Sequence, residues 1–130
     1  MKTVYVFGNP LVREDSVPLK ILGRLKKRFP SLDFVEFDTT EDLEERDLVI
    51  LDTVKGIRKV KIIDDVDKIV AEKVYSMHDF DLGQNLRLMK KMKMVDSVVI
   101  IGVPMGMDDK KAFAEVCKQI EKIAESLGIP

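Results

Sequence analysis

The apolar positions of the chain fall into short blocks whose spacing switches between two periods. Residues 3–7 read Thr-Val-Tyr-Val-Phe and run into Gly8-Asn9-Pro10, which predicts a buried strand followed by a loop. From about Ser16 the period becomes helical. Val17, Ile21, Leu22, Leu25 and Phe29 share one face, Pro18 stands in the first turn and Pro30 closes the segment. Residues 32–37 predict a second strand, ending at Asp38-Thr39-Thr40. Asp47 leads into Leu48-Val49-Ile50-Leu51, a continuous apolar run of the kind found in central parallel strands buried on both faces, and Asp52 ends it.

Residues 60–63 and 69–74 predict two strands around the acidic turn Asp64-Asp65-Val66-Asp67, a hairpin at one side of the sheet. Asp81 and Gln84 form a capping box for a helix running to about Met94. Residues 98–103 predict another buried strand and residues 104–107 a loop. Asp108 or Asp109 then starts a last helix with Phe113, Val116, Cys117, Ile120, Ile123, Ala124 and Leu127 as its apolar stripe and Gly128 as its end. Strands alternating with helices predict an α/β fold. One domain over residues 1–130 forms a three-layer sandwich, with a mostly parallel sheet, helices on both faces and a hairpin near residues 58–74.

Composition narrows the function classes. Charged residues are 35% of the chain but cancel to a formal net charge of −1, which gives no footprint for nucleic acid or an anionic membrane. The apolar runs are far short of a membrane span, and the opening residues enter a strand pattern without the features of a signal peptide. The single cysteine, Cys117, permits no internal disulfide and suits a reducing compartment, so a cytoplasmic location is expected; a monomer is the expected state. Abundant Lys and Glu with few Asn and Gln lean towards a thermophilic source.

In open α/β sheets ligands bind beyond the carboxyl ends of the strands, so polar residues there are the candidates. They are Asn9, Glu14 and Asp15 after the first strand, Asp38 after the second, Asp52 after the third, and His78, the chain's one histidine. Two carboxylates and an imidazole brought to one edge would bind a divalent metal while leaving coordination positions open for substrate. Structural roles compete for each. Glu14 and Asp15 precede a helix, where carboxylates cap free N–H groups. Asp52 with Thr53 suits the start of a turn, Asn9 a left-handed turn position, and His78 a loop-orienting hydrogen bond. Cys117 lies on a core stripe and reads as packing.

The order of these motifs resembles that of the hydrogenase maturation endopeptidases. Gly8-Asn9, four intervening residues and the acidic pair Glu14-Asp15 are similar to the family's opening motif, in which the second acid is a metal ligand. Leu51-Asp52 resembles the family's second ligand, Met77-His78-Asp79-Phe80-Asp81-Leu82 its third, and Asp38 its Asp after the second strand. The chain departs from the family in having Val6-Phe7-Gly8-Asn9 for Gly-x-Gly-Asn, Ser16 and Pro18 for glycines, and Thr39-Thr40-Glu41 for a Gly-rich stretch. The resemblance implies an aspartyl-type endopeptidase-like hydrolase that trims the C-terminal extension of a hydrogenase large-subunit precursor. Asp15, Asp52 and His78 would then serve as catalytic and metal-engaging residues, and Asn9 and Asp38 would contact substrate. The nickel is carried by that precursor, with no permanently bound metal expected in the protease. Two other classes fit the same residues: a hydrolase of a small substrate with its own zinc or manganese, and a non-catalytic nickel-binding assembly module.

Overall fold

The structure, a computed structural model, describes residues 2–8, 11–36, 47–54, 56–64 and 97–125. Five strands and two helices appear there: β1 (Lys2–Val6), α1 (Val17–Arg28), β2 (Leu32–Glu36), β3 (Asp47–Val54), β4 (Lys61–Ile63), β5 (Ser97–Pro104) and α2 (Asp109–Lys122). A single 3₁₀ turn, Arg13–Asp15, stands before α1. The sheet order is β2-β1-β3-β5-β4. All neighbours are parallel except β4, which runs antiparallel to β5 at the edge.

Strand alternation sorts the sheet into two faces. Val4, Val6, Val49, Leu51, Ile101 and Val103 face one side and form a core with Ile21, Leu22 and Leu25 of α1 and Ala112, Val116, Cys117 and Ile120 of α2. Both helices therefore pack on the same face. Leu48, Ile50, Val98 and Ile100 fall on the other face and are also buried. The helix predicted to run to Met94 lies outside the described residues.

The helix ends follow local chemistry. Pro18 sits in the first turn of α1, where its missing N–H has no intrahelical partner to lose. At the other end the Phe29 N–H closes onto the Leu25 carbonyl. The Asp108 carboxylate caps α2 by accepting the Lys111 N–H at 3.2 Å. Arg28 and Glu121 pair at 2.7 Å across the exposed seam between the helices.

Two expectations need correction, the ends of β3 and of α2, and the hairpin is tested only in its first arm. β3 does not stop at Asp52: its ladder with β5 continues through Thr53↔Val103 and Val54↔Pro104, so Asp52 is a strand residue and does not open a turn. The apolar run marked only the part of the strand with no polar side chain. β4 pairs with β5, while the second arm expected for its hairpin, residues 69–74, lies outside the described residues. α2 ends at Lys122, with the Ile123 N–H bonded to the Gln119 carbonyl, although the apolar stripe suggested a longer helix.

Candidate functional site

The sheet order locates a crevice before any side chain is considered. From β1 the chain crosses to β2 on one side, then returns past β1 to β3 on the other. The topological switch point therefore lies between the carboxyl ends of β1 and β3. There the Phe7 N–H donates to the Leu51 carbonyl at 2.9 Å, carrying the β1–β3 contact to the start of the loop.

The 3₁₀ turn folds back over this edge. The Asp15 N–H bonds to the Val12 carbonyl and the Ser16 hydroxyl donates to the Arg13 carbonyl at 2.8 Å, so the turn closes on itself. Gly8 lets it come close. A Cβ at that position would stand 3.0 Å from the Asp15 carbonyl oxygen and 3.0 Å from Leu19 Cγ. The glycine of the opening motif thus has a steric reason, because only a residue without a side chain admits the Asp15 backbone.

The two acids of the pair differ in exposure. Glu14 is exposed, whereas Asp15 is 3% accessible. Asp15 reaches the sheet: its Oδ1 accepts a hydrogen bond from the Thr53 hydroxyl. The N–H of the same Thr53 donates to Asp52 Oδ1 at 2.8 Å. Asp52 is also 3% accessible, and Thr53 is fully buried. Thr53 is thus bonded to both acids, to Asp15 through its hydroxyl and to Asp52 through its backbone N–H. Beside Asp52 on β5 stands Gly102, over which Val54, Ile57 and Ile63 close.

The buried polar residues among those described are Asp15, Ser16, Asp52 and Thr53. All four belong to this one edge. A buried carboxylate is costly unless hydrogen-bonded, and both acids have such bonds. Sequence reading identified Asp15 and Asp52 but treated Thr53 only as a turn partner. The signal available was a hydroxyl placed directly after a buried acid at the end of an apolar strand.

Asn9, Asp38 and His78 lie outside the described residues. Among the described residues no group of three or more His, Cys, Asp or Glu side chains is arranged to hold a metal ion. Two carboxylates alone supply hard oxygen donors, and an imidazole is the further ligand that would suit a first-row divalent ion. Cys117, in contrast, is packed in the core, where burial pushes its thiol above the ordinary 9.0 and keeps it protonated.

A groove of about 510 Å³ opens on the outer side of the turn, lined by Arg13, Glu14, Lys20, Gly106, Met107 and Asp108 among others. Gly106 has φ +71° and donates its N–H to the Glu14 carbonyl at 2.9 Å, which ties the β5–α2 loop to the acidic turn. Leu11, 92% exposed, stands just before the turn. No helix among the described residues is long and apolar enough to cross a membrane.

No protein-family model matches the chain, and no curated protein matches it by sequence. Solved structures do match over nearly the whole length. The nickel–iron hydrogenase maturation protease HybD from Thermococcus kodakarensis is 19% identical with TM-score 0.63, covering 98% of this chain and 99% of that one. The hydrogenase maturating endopeptidase HybD from E. coli is 15% identical with TM-score 0.70, covering 97% and 94%. A hydrogenase 3 maturation protease is 16% identical with TM-score 0.58, covering 98% and 89%. The chain has the fold of the hydrogenase maturation proteases, the same family its motif order resembles.

Proposed function

We propose that the chain is an endopeptidase that removes the C-terminal extension of a nickel-loaded hydrogenase large-subunit precursor. The observation that carries this reading is the burial of Asp15 and Asp52 at the β1/β3 switch point, each bonded to Thr53. Its support is threefold: the shared fold, the motif order Gly8-Asn9, Glu14-Asp15, Asp52, His78, and the separation of a buried Asp15 from an exposed Glu14.

In this reading Asp15, Asp52 and His78 engage nickel that the precursor already holds. Two carboxylates and one neutral imidazole are too few to close around an ion and include no thiolate, so a free divalent ion binds weakly and reversibly. A precursor-bound ion brings its other ligands, and protein and precursor complete one coordination sphere. The ion then polarises the scissile carbonyl or an attacking water. Binding depends on loading, which makes nickel insertion a checkpoint before an irreversible cut. Asn9 and Asp38 contact the precursor, and the groove at Glu14 has room for the peptide. The protein works as a cytoplasmic monomer.

The test uses enzyme dialysed against chelator and then freed of it, offered precursor with and without nickel. Cleavage of the loaded form alone is expected. Efficient cutting of metal-free precursor refutes the mechanism. Activity restored by zinc added to the enzyme indicates an independent metallohydrolase, and tight binding of loaded precursor without cleavage indicates an assembly module.

A further inference from the structure

We propose that Thr53 is the positioning residue of the acid pair, fixing Asp15 and Asp52 relative to one another through its two hydrogen-bond donors. This rests on the processing role proposed above for those two acids. The hydroxyl donates to Asp15 Oδ1 and the backbone N–H to Asp52 Oδ1, so one residue addresses one oxygen of each carboxylate.

The two acids need such a link because they come from unlike elements. Asp52 is carried by a strand whose backbone is locked into the ladder with β5. Asp15 is carried by a turn of three residues closed by its own local hydrogen bonds. Without a tie to the sheet, the carboxylate of the turn would follow the turn's motions. Thr53 supplies that tie from the rigid partner. It pairs with Val103 in the middle of the β3–β5 extension and is fully buried. As a β-branched residue it also has few rotamers, so its hydroxyl direction is set by the strand. Its hydroxyl faces the apolar side of Leu51 and Val103, where an unbonded O–H would be costly, and the Asp15 carboxylate satisfies it.

The two links are separable by mutation. Thr53→Val removes the hydroxyl and retains the N–H, so it takes the sheet's hydroxyl bond from Asp15 and leaves the N–H bond to Asp52. Thr53→Ser restores the hydroxyl without the methyl group. Cleavage of nickel-loaded precursor is measured for both at a temperature where circular dichroism shows each to be fully folded. Thr53→Val is expected to lower kcat by about 10–100-fold, the range typical of partners that orient metal-engaging side chains. KM should move much less, and Thr53→Ser should recover most of the rate. Full kcat for folded Thr53→Val, with only its melting temperature lowered, would show a purely structural hydroxyl and overturn the proposal.

A crystal structure of Thr53→Val provides the arm that does not depend on turnover. The Asp15 carboxylate should leave its wild-type position while Asp52 keeps its own. If wild-type protein leaves loaded precursor uncut, the processing role fails. The crystal structure then decides on Thr53 alone, and an Asp15 carboxylate unmoved in Thr53→Val overturns its positioning role.

Discussion

Gly8→Ala should damage this protein, and the same change at Gly23 should help it. An added Cβ at Gly8 meets the Asp15 carbonyl oxygen at 3.0 Å and Leu19 at 3.0 and 3.3 Å. Leu19 can give way by changing rotamer, but the carbonyl belongs to a turn closed by the Asp15–Val12 and Ser16–Arg13 bonds. Relief therefore moves the turn, at the ~1–3 kcal/mol typical of overpacking. At Gly23, in the exposed middle of α1, an added Cβ meets nothing within 4 Å. Removing the flexibility of a helical glycine there should stabilise by about 0.5–1 kcal/mol. Urea unfolding reads both. With a slope of ~1–3 kcal/mol per M, Gly8→Ala should lower the midpoint by about 1 M and Gly23→Ala should raise it by a few tenths. Gly8→Ala should also lose processing under conditions where it remains folded, because the displaced turn draws Asp15 from Thr53. A Gly8→Ala protein with wild-type midpoint and activity would refute the close-approach explanation of the motif glycine. A destabilised Gly23→Ala would show that the contrast between the two sites was misjudged.

Asp15→Asn and Asp52→Asn should each abolish cleavage of loaded precursor and change stability by only ~1 kcal/mol, because the amide oxygen still accepts from Thr53. Glu14→Gln, at an exposed position, should retain activity, and equal loss from Glu14→Gln and Asp15→Asn would show the pair to be misassigned. Leu25→Ala empties a fully buried position between α1 and the sheet, and should cost about 2–5 kcal/mol by chemical denaturation. Burial raises the Cys117 thiol above the ordinary 9.0, so its contribution to stability is intact below that pH. It is lost as pH rises through the folded value, where the unfolded chain gains by ionising first. The stability gap between wild type and Cys117→Ala should therefore narrow above pH 9.0, and a gap constant with pH would contradict a buried protonated thiol.

Periodicity made the elements that carry the core readable. The face Val17, Ile21, Leu22, Leu25 and Phe29 was visible from spacing, and each of those residues is buried. Strand ends were harder, because the ladder between β3 and β5 depends on backbone pairing and continues where hydrophobicity stops. That is why Asp52 and Thr53 looked like a turn and are instead paired strand residues. The site was legible as two acids at the right edge but not as a connected unit. The Asp15–Thr53 bond joins residues 38 apart, and no local pattern encodes such a contact. The departure of Cys117 from chemistry into packing was readable, since its helical stripe already assigned it to the core.

Hydrophobic patterning and function compete along β3, and the point where patterning yields marks the site. From Leu48 to Leu51 every side chain is apolar and buried, which is what stability alone would select for a central strand. Over the next two residues the strand is still paired and still buried, yet it carries a carboxylate and a hydroxyl. Replacing buried polar groups with well-packed apolar ones is often neutral or stabilising, so stability does not account for Asp52 or Thr53. Nor does it account for Asp15, which a helix cap would leave at the surface. Such local violations of core patterning are expected at functional sites, where the fold gives up stability for chemistry. Here the described residues break the rule at one place only. Asp15, Ser16, Asp52 and Thr53 come from two segments far apart in sequence and meet where the strand order reverses. Fold topology and the pattern of buried polarity are independent observations, and both select the β1/β3 edge as the candidate site.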